Sequence, residues 1–240
     1  MIEFKNVSFA YEKGRSVLSG VSFKIEKGEA VGLIGANGAG KSIVMKLLLG
    51  LIRGEGEIYV DGLEVKKDNL PEIRRKLGFV LQNSDNQMFM PTVCEDMMFA
   101  PLNYGLTRPE AEKRVDAVLE RLGMTELKYR HNHRISGGEK RMAAIATVLA
   151  MEPEAVLMDE PTSALDPCNR RAVINTVKEL GQTKLITSHD LDMIMDTCGR
   201  VILLSGGRIA ADGPSDQILT DRELLEANRM ELPLSLTPRP

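Results

Sequence analysis

Over the first quarter of the chain, apolar and polar residues alternate with a period close to two. Residues 1–10 (MIEFKNVSFA) and 17–25 (VLSGVSFKI) carry Ile, Phe, Val and Leu at alternate positions for much of their length. That pattern predicts two half-buried antiparallel strands near the front of the molecule. The pattern then changes. AVGLI, residues 30–34, is a compact apolar run bracketed by Gly28 and Gly35, as expected of a strand covered on both faces in a parallel sheet. Residues 77–81, 155–158, 184–187 and 201–204 are further strands of this kind. Stretches of helical period lie between most of them, and such alternation predicts an α/β sheet.

Residues 86–150 follow a different rule, with helical periodicity and no convincing strand. Thr107 and Glu110 have the spacing of a capping box, and Pro109 is tolerated in the first turn. Ala111, Val115, Val118, Leu119 and Leu122 then trace one apolar face that Gly123 ends. Residues 142–150, MAAIATVLA, are Ala- and Leu-rich and helical in pattern, so a helix is expected to begin within ISGGEKR, residues 135–141. After Gly213-Pro214, residues 215–227 are predicted as one amphipathic helix, and the tail ELPLSLTPRP, with three prolines, as irregular. The chain therefore reads as a single domain, residues 1–240. Its α/β core spans 1–85 and 151–214, a helical subdomain is inserted at 86–150, and a C-terminal helix and tail occupy 215–240.

Composition narrows the function classes. A hydrophobic content of 43% and a charged content of 27% are ordinary for a soluble globular protein. The net charge of −3 argues against nucleic-acid binding by bulk electrostatics, and the lack of tryptophan removes the best base-stacking residue. No apolar run reaches the roughly 18–20 residues of a membrane span, and the N-terminus lacks a signal pattern. Three cysteines without CxxC spacing suit a reducing cytosol as ordinary packing residues, and thirteen methionines suit adaptable core filling.

The chemistry begins after the first buried strand. Gly35-Ala36-Asn37-Gly38-Ala39-Gly40-Lys41-Ser42 fits G-x-x-x-x-G-K-[ST], between a predicted strand and a predicted helix at 42–49. Glycines let the backbone fold around phosphate oxygens, Lys41 offers a point charge to the β and γ phosphates, and the Ser42 hydroxyl is a natural magnesium ligand. The strand at 155–158 runs into Asp159 and Glu160. Successive strand residues point to opposite faces, so the two carboxylates are expected to divide the work. Asp159 would hold magnesium and Glu160 would polarise the attacking water as general base. His189, after the strand LIT, sits where a γ phosphate is sensed at the carboxyl end of a central strand. Gln82, after GFVL, is placed to reach magnesium and the attacking water. ISGGE, residues 135–139, opens a helix with Ser136, Gly137 and Gly138, a second start suited to an anion.

Taken in order, GANGAGKS, Gln82, ISGGE, MDEPTSALD and His189 resemble the nucleotide-binding subunit of an ATP-binding cassette transporter over residues 1–212. The resemblance implies a P-loop NTPase three-layer core, an antiparallel β subdomain and the inserted helical subdomain, with ATP and Mg2+ as cofactors. It also implies why there are two phosphate-binding helix starts. Two subunits pair head to tail, so Ser136, Gly137 and Gly138 bind the γ phosphate held by the partner's phosphate loop. Tyr11 corresponds to the aromatic that stacks on adenine, although a strand-packing role fits the bare sequence equally well. Residues 163–166, ending in Asp166, match the loop that crosses the dimer interface. Glu139 stands where Gln is the more common residue, and Ile135 replaces the usual Leu.

Residues 82–105, QNSDNQMFMPTVCEDMMFAPLNYG, resemble the energy-coupling-factor branch of importers. There the region after the glutamine forms a groove for helices of a transmembrane coupling subunit. Asp85, Asn86, Gln87, Met88 and Phe89 match, while Ser84 replaces the typical Pro. Exposed Met and Phe around 87–90 would suit an adaptable apolar groove. ADGPSDQIL and the Leu-rich tail resemble cobalt and nickel importer ATPases. The implied protein is an ATPase at the cytoplasmic face of the cell membrane, with a second copy of itself, a coupling subunit and a membrane substrate-binding subunit as partners. The rivals are a vitamin importer of the same type and a soluble cassette ATPase serving a cofactor-assembly scaffold. His131 and His133 lack a third ligand and read as a plain loop.

Overall fold

The computed structural model describes residues 1–11, 14 and 16–237. In chain order its strands and helices are β1 (Ile2–Ala10), β2 (Ser16–Ile25), β3 (Ala30–Ile34), α1 (Lys41–Leu48), β4 (Glu55–Val60), β5 (Leu63–Glu64), α2 (Leu70–Lys76) and β6 (Leu77–Val80). Next come α3 (Val93–Asn103), α4 (Arg108–Leu122), α5 (Gly137–Leu149), β7 (Ala155–Asp159) and α6 (Pro167–Glu179). The chain finishes with β8 (Thr183–Thr187), α7 (Leu191–Thr197), β9 (Arg200–Ser205), β10 (Arg208–Pro214), α8 (Ser215–Ile218) and α9 (Arg222–Ala227). The fold is α/β, and the chain divides into two compact units, residues 1–74 with 181–240 and residues 75–180.

The first unit holds an antiparallel sheet in the order β2-β1-β4-β5. Alternation buries Ile2 and Phe4 of β1 and Val21, Phe23 and Ile25 of β2, and register shifts on either side of Val7 change the phase so that Val7 and Leu18 are buried as well. Phe4 pairs with Phe23 across the ladder, and their rings stack at 4.5 Å. The same unit carries β3 between β8 and β9, parallel to both, with β10 antiparallel on β9. The apolar run of β3 is covered on both faces, with Val31, Leu33 and Ile34 fully buried. That arrangement puts the carboxyl ends of β3 and β8 on one side, where the phosphate loop and His189 emerge.

The second unit pairs β6 with β7 in parallel, Leu77 opposite Ala155 and Val80 opposite Met158. Its helices close a core built from Met97, Val115, Leu119, Leu127 and the alanine face of α5. Glu110 accepts from the Thr107 backbone N–H at 2.7 Å and the Thr107 hydroxyl at 2.6 Å, and α4 stops at Gly123, whose φ is 65°. Between residues 86 and 150 the described backbone is helical or looped, apart from one isolated bridge from Thr92 to His131.

Several elements differ from expectation. The hairpin β4–β5 and the strand β10 carry too few buried residues to announce themselves; β4 buries only Val60. Residues 215–227 form two helices rather than one. Thr220 turns its hydroxyl back onto the Asp216 carbonyl at 2.6 Å, and Asp221 caps a fresh start by accepting from Leu224 N–H at 2.9 Å. The tail is not wholly irregular, because Leu234–Leu236 make a 3-10 turn whose Leu234 and Ser235 amides donate to Asp192 at 3.0 and 3.1 Å. Cys94 and Cys198 are buried as expected, whereas Cys168 is exposed at the start of α6.

Candidate functional site

In the first unit, β3 ends at Ile34 and the chain turns at Gly35, where φ is 149° and an added Cβ would lie 2.2 Å from the Leu204 carbonyl oxygen. Only glycine lets the loop start this close to β9. The Ala39 amide folds back onto Ala36 O at 3.1 Å, while Asn37 and Gly38 are exposed. Helix α1 begins on Gly40, which has no side chain to cap it. An uncapped helix start beside a Gly-rich turn suits phosphate oxygens. Lys41 is buried, and its ammonium donates to Gly35 O at 2.7 Å. It also lies 3.3 Å from His189 Nε2. An ammonium can only donate, so a hydrogen bond between the two has Nε2 as its acceptor. The exposed His189 ring and the Lys41 head therefore stand together beside the loop. Ser42 is exposed at the first turn of α1. Tyr11 follows β1 with 63% of its surface exposed, its ring edge-on to Phe9 at 5.0 Å. At that exposure Tyr11 is not a buried strand-packing residue.

In the second unit, β7 brings Asp159 to its carboxyl end half-buried, followed by the buried Glu160. One part of the sequence reasoning is corrected here. The strand stops at Asp159, and Glu160 has φ 49°, in the left-handed region. Strand alternation therefore does not extend to Glu160, whose backbone has already left the strand. A non-glycine residue in this conformation is held there at some cost in strain, a feature concentrated at functional sites.

Gln82 is exposed two residues beyond β6, and its backbone is fixed by residues the sequence did not reveal. Arg141, only 4% exposed, donates to Leu81 O at 2.7 Å and to Gln82 O. Gln87 accepts from Leu81 N–H at 2.9 Å and donates to Ala144 O at 2.8 Å. Burial lowers the Arg141 pKa from its usual value. A basic residue in a KR pair reads as a solvated helix face, so no sequence signal marked it. Arg141 sits on α5, five residues after Ser136. The loop carrying Gln82 is thus tied to the helix that Ser136 begins.

Ser136 caps α5 in a complete capping box. Glu139 Oε2 accepts from Ser136 N–H at 2.7 Å, and the Ser136 hydroxyl oxygen accepts from Glu139 N–H at 3.3 Å. These contacts with the Ser136 amide and hydroxyl hold the Glu139 carboxyl below its ordinary range. Glu139 thereby occupies the Ser136 amide, as a glutamine at this position of a capping box also does. Ser136 and Gly137 are exposed. At Gly138 an added Cβ would lie 2.1 Å from the Asn169 side chain. Asn169 belongs to the loop-and-helix start capped by Asp166, which accepts from Cys168 N–H at 2.9 Å and Asn169 N–H at 3.0 Å. These bonds, the Asn169 amide first, hold the Asp166 carboxyl low.

The apolar groove is also revised. Met88 is buried in the helical core and Gln87 is turned inward by its hydrogen bonds. Within residues 82–105 the large exposed apolar side chains are Phe89 at 63%, Phe99 at 43% and Leu102 at 39%, with the two rings edge-to-face at 4.9 Å. His131 and His133 have ring centroids 5.3 Å apart, and no group of three metal-ligating side chains occurs among the described residues.

The sequence and the fold are similar to those of known proteins. The family model described as ABC transporter matches residues 18–163. A putative ABC transporter ATP-binding protein of Geobacter sulfurreducens is 46% identical over 98% of this chain and 95% of its own. The energy-coupling factor transporter ATP-binding protein EcfA of Methanothermobacter thermautotrophicus is 43% identical over 97% of this chain and 77% of its own. Among solved structures, cbiO1 from Clostridium perfringens, described as part of the ABC transporter complex cbiONQ, superposes with a TM-score of 0.85. It is 32% identical, and the match covers 94% of this chain and 93% of that one. The chain belongs to the ABC transporter family and is an ATP-binding cassette that hydrolyses ATP. Its relatives assign it to the energy-coupling-factor branch of that family. No helix among the described residues is long and apolar enough to cross a membrane.

Proposed function

We propose that this cassette powers an energy-coupling-factor importer whose cargo is cobalt or nickel ion. The observation that carries the importer reading is the exposed Phe89, Phe99 and Leu102 patch on the unit that also bears Ser136. An aromatic surface of this kind suits an apolar partner helix. The cargo reading is supported by the ADGPSDQIL segment and by the likeness to a cassette described as part of a cbiONQ complex.

In this reading the chain is one ABC ATPase domain with the helical segment 86–150 inserted. The exposed Tyr11 ring supports adenine, and the turn from Gly35 to Lys41 receives the phosphates. Ser42, Asp159 and Gln82 are the residues that would hold a magnesium ion, which would neutralise phosphate charge. Glu160 takes the proton of the attacking water, and His189 senses the γ phosphate. Ser136, Gly137 and Gly138 offer donors to the nucleotide of a second copy across a head-to-tail homodimer, where such donors stabilise developing charge. Asp166, committed to capping α6, positions the loop that meets that copy. The cassette works at the cytoplasmic face of the membrane beside a transmembrane coupling subunit and a membrane substrate-binding subunit.

Two measurements test this. Affinity purification of the tagged chain from detergent-solubilised native membranes should recover two integral-membrane proteins, and recovery of soluble proteins alone would refute the importer reading. Cells carrying Glu160→Gln should accumulate radioactive cobalt or nickel more slowly than wild type. Unchanged uptake of both ions would refute the cargo.

A further inference from the structure

The loop that presents Phe89 has no regular structure of its own. It runs from the 3-10 turn Ser84–Asn86 to the start of α3. Its position is set by two buried polar side chains, Asp96 at 5% exposure and Asn132 at 8%. Asp96 Oδ1 accepts from the Phe89 and Met90 amides, both at 3.1 Å. Asp96 Oδ2 accepts from Asn132 Nδ2, and the same Nδ2 donates to Met90 O at 2.6 Å. Around this hub the two segments are zipped together by backbone bonds. Asn132 N–H donates to Pro91 O at 3.1 Å, Val93 N–H to Arg130 O at 3.1 Å and Cys94 N–H to Lys128 O at 2.9 Å. Asn132 then opens the 3-10 turn Asn132–Arg134, which leads into Ser136.

We infer that Asp96 and Asn132 are positioning residues that carry movement of the Ser136 segment to the Phe89 docking surface. The inference rests on the assignment of those two segments to the partner copy and the membrane partner. A pair serving only to fill space would be served as well by apolar side chains, since burying a carboxylate is costly. A carboxylate satisfied by three donors instead selects one relative position of the segments it joins, so they move together. Burial pushes the Asp96 carboxyl pKa up, with the Met90, Phe89 and Asn132 donors opposing that shift. Asn132 is oriented without ambiguity, because Nδ2 faces two acceptors and Oδ1 is buried without a partner.

The chain has no tryptophan, so Phe89→Trp supplies a single fluorescent reporter on the docking surface. In a Glu160→Gln background, ATP and magnesium should convert the reporter protein to a dimer on gel filtration and shift its tryptophan emission. Adding Asp96→Asn, close to isosteric, should leave the dimer fraction within about twofold while reducing the emission response about threefold or more. Asn132→Ala, which cuts the hub from the other side, should do the same, with circular dichroism reporting that each variant is folded. A full emission response in dimers of both variants would overturn the linkage, as would a parent dimer whose reporter does not respond. A parent that stays monomeric with ATP would refute the head-to-tail reading itself, and the linkage would fall with it.

Discussion

Replacing Arg141 by methionine removes a cation while keeping most of the side-chain volume. Arg141 is 4% exposed, so solvent only partly screens its bonds to Leu81 O and Gln82 O. Hydrogen bonds from a charged donor contribute about 1.5–3 kcal/mol each. Against this, a buried cation carries a desolvation cost of several kcal/mol that methionine does not incur. The two carbonyls left behind lie at the edge of an exposed loop, where water can reach them. The net loss is expected at about 1–3 kcal/mol of stability, visible as a lower urea midpoint by circular dichroism. The larger effect falls on catalysis. With its backbone released, Gln82 should lose its fixed position, and displacement of a positioning group on this scale costs about tenfold or more in turnover. Single-turnover ATP hydrolysis at saturating nucleotide measures this separately from binding. Stability within about 0.5 kcal/mol of wild type together with unchanged turnover would refute the positioning role of Arg141.

Other substitutions test the remaining parts. Lys41→Ala should abolish binding of a fluorescent ATP analogue while leaving the fold intact, because the lysine's buried contacts are to loop carbonyls rather than to the core. Gly138→Ala places a Cβ 2.1 Å from Asn169, so ATP should still bind each chain while ATP-driven dimerisation, followed by light scattering, is lost. Leu119→Ala opens the fully buried helical core and should cost about 2–5 kcal/mol by chemical denaturation. Chelating magnesium with EDTA should stop hydrolysis, and adding the ion back should restore it; persistence of hydrolysis in EDTA would remove Ser42, Asp159 and Gln82 from the metal reading.

The buried strands and the phosphate loop were legible because their physics is local. An apolar run followed by glycines and a lysine can hardly be anything else, and the observed β3 and α1 bounds, Ala30–Ile34 and Lys41–Leu48, lie within a residue of expectation. The edge hairpin at 55–64 and β10 were silent, since β4 buries one residue and β5 and β10 bury none, which leaves no apolar period to detect. The turn at Glu160 was also hidden, because a left-handed φ at a glutamate is imposed by tertiary context. Arg141, Asn169 and the Asp96–Asn132 pair were illegible for another reason. Each gains its role from a partner between 3 and 60 residues away, and nothing in local composition separates such a residue from a solvated one. Met88 and Phe89 make the same point: adjacent apolar residues, one buried at 7% and one exposed at 63%.

The head-to-tail pairing of two cassettes around ATP is tested most directly by the mass of Glu160→Gln in solution, measured by light scattering with and without ATP and magnesium. Removing the general base should leave binding intact and hydrolysis stalled, so the protein should be monomeric alone and a stable dimer of twice that mass with nucleotide. Adding Ser136→Arg, which obstructs the second phosphate-binding helix start, should return it to monomer. A Glu160→Gln protein that binds ATP and remains monomeric at every concentration tested would contradict the pairing.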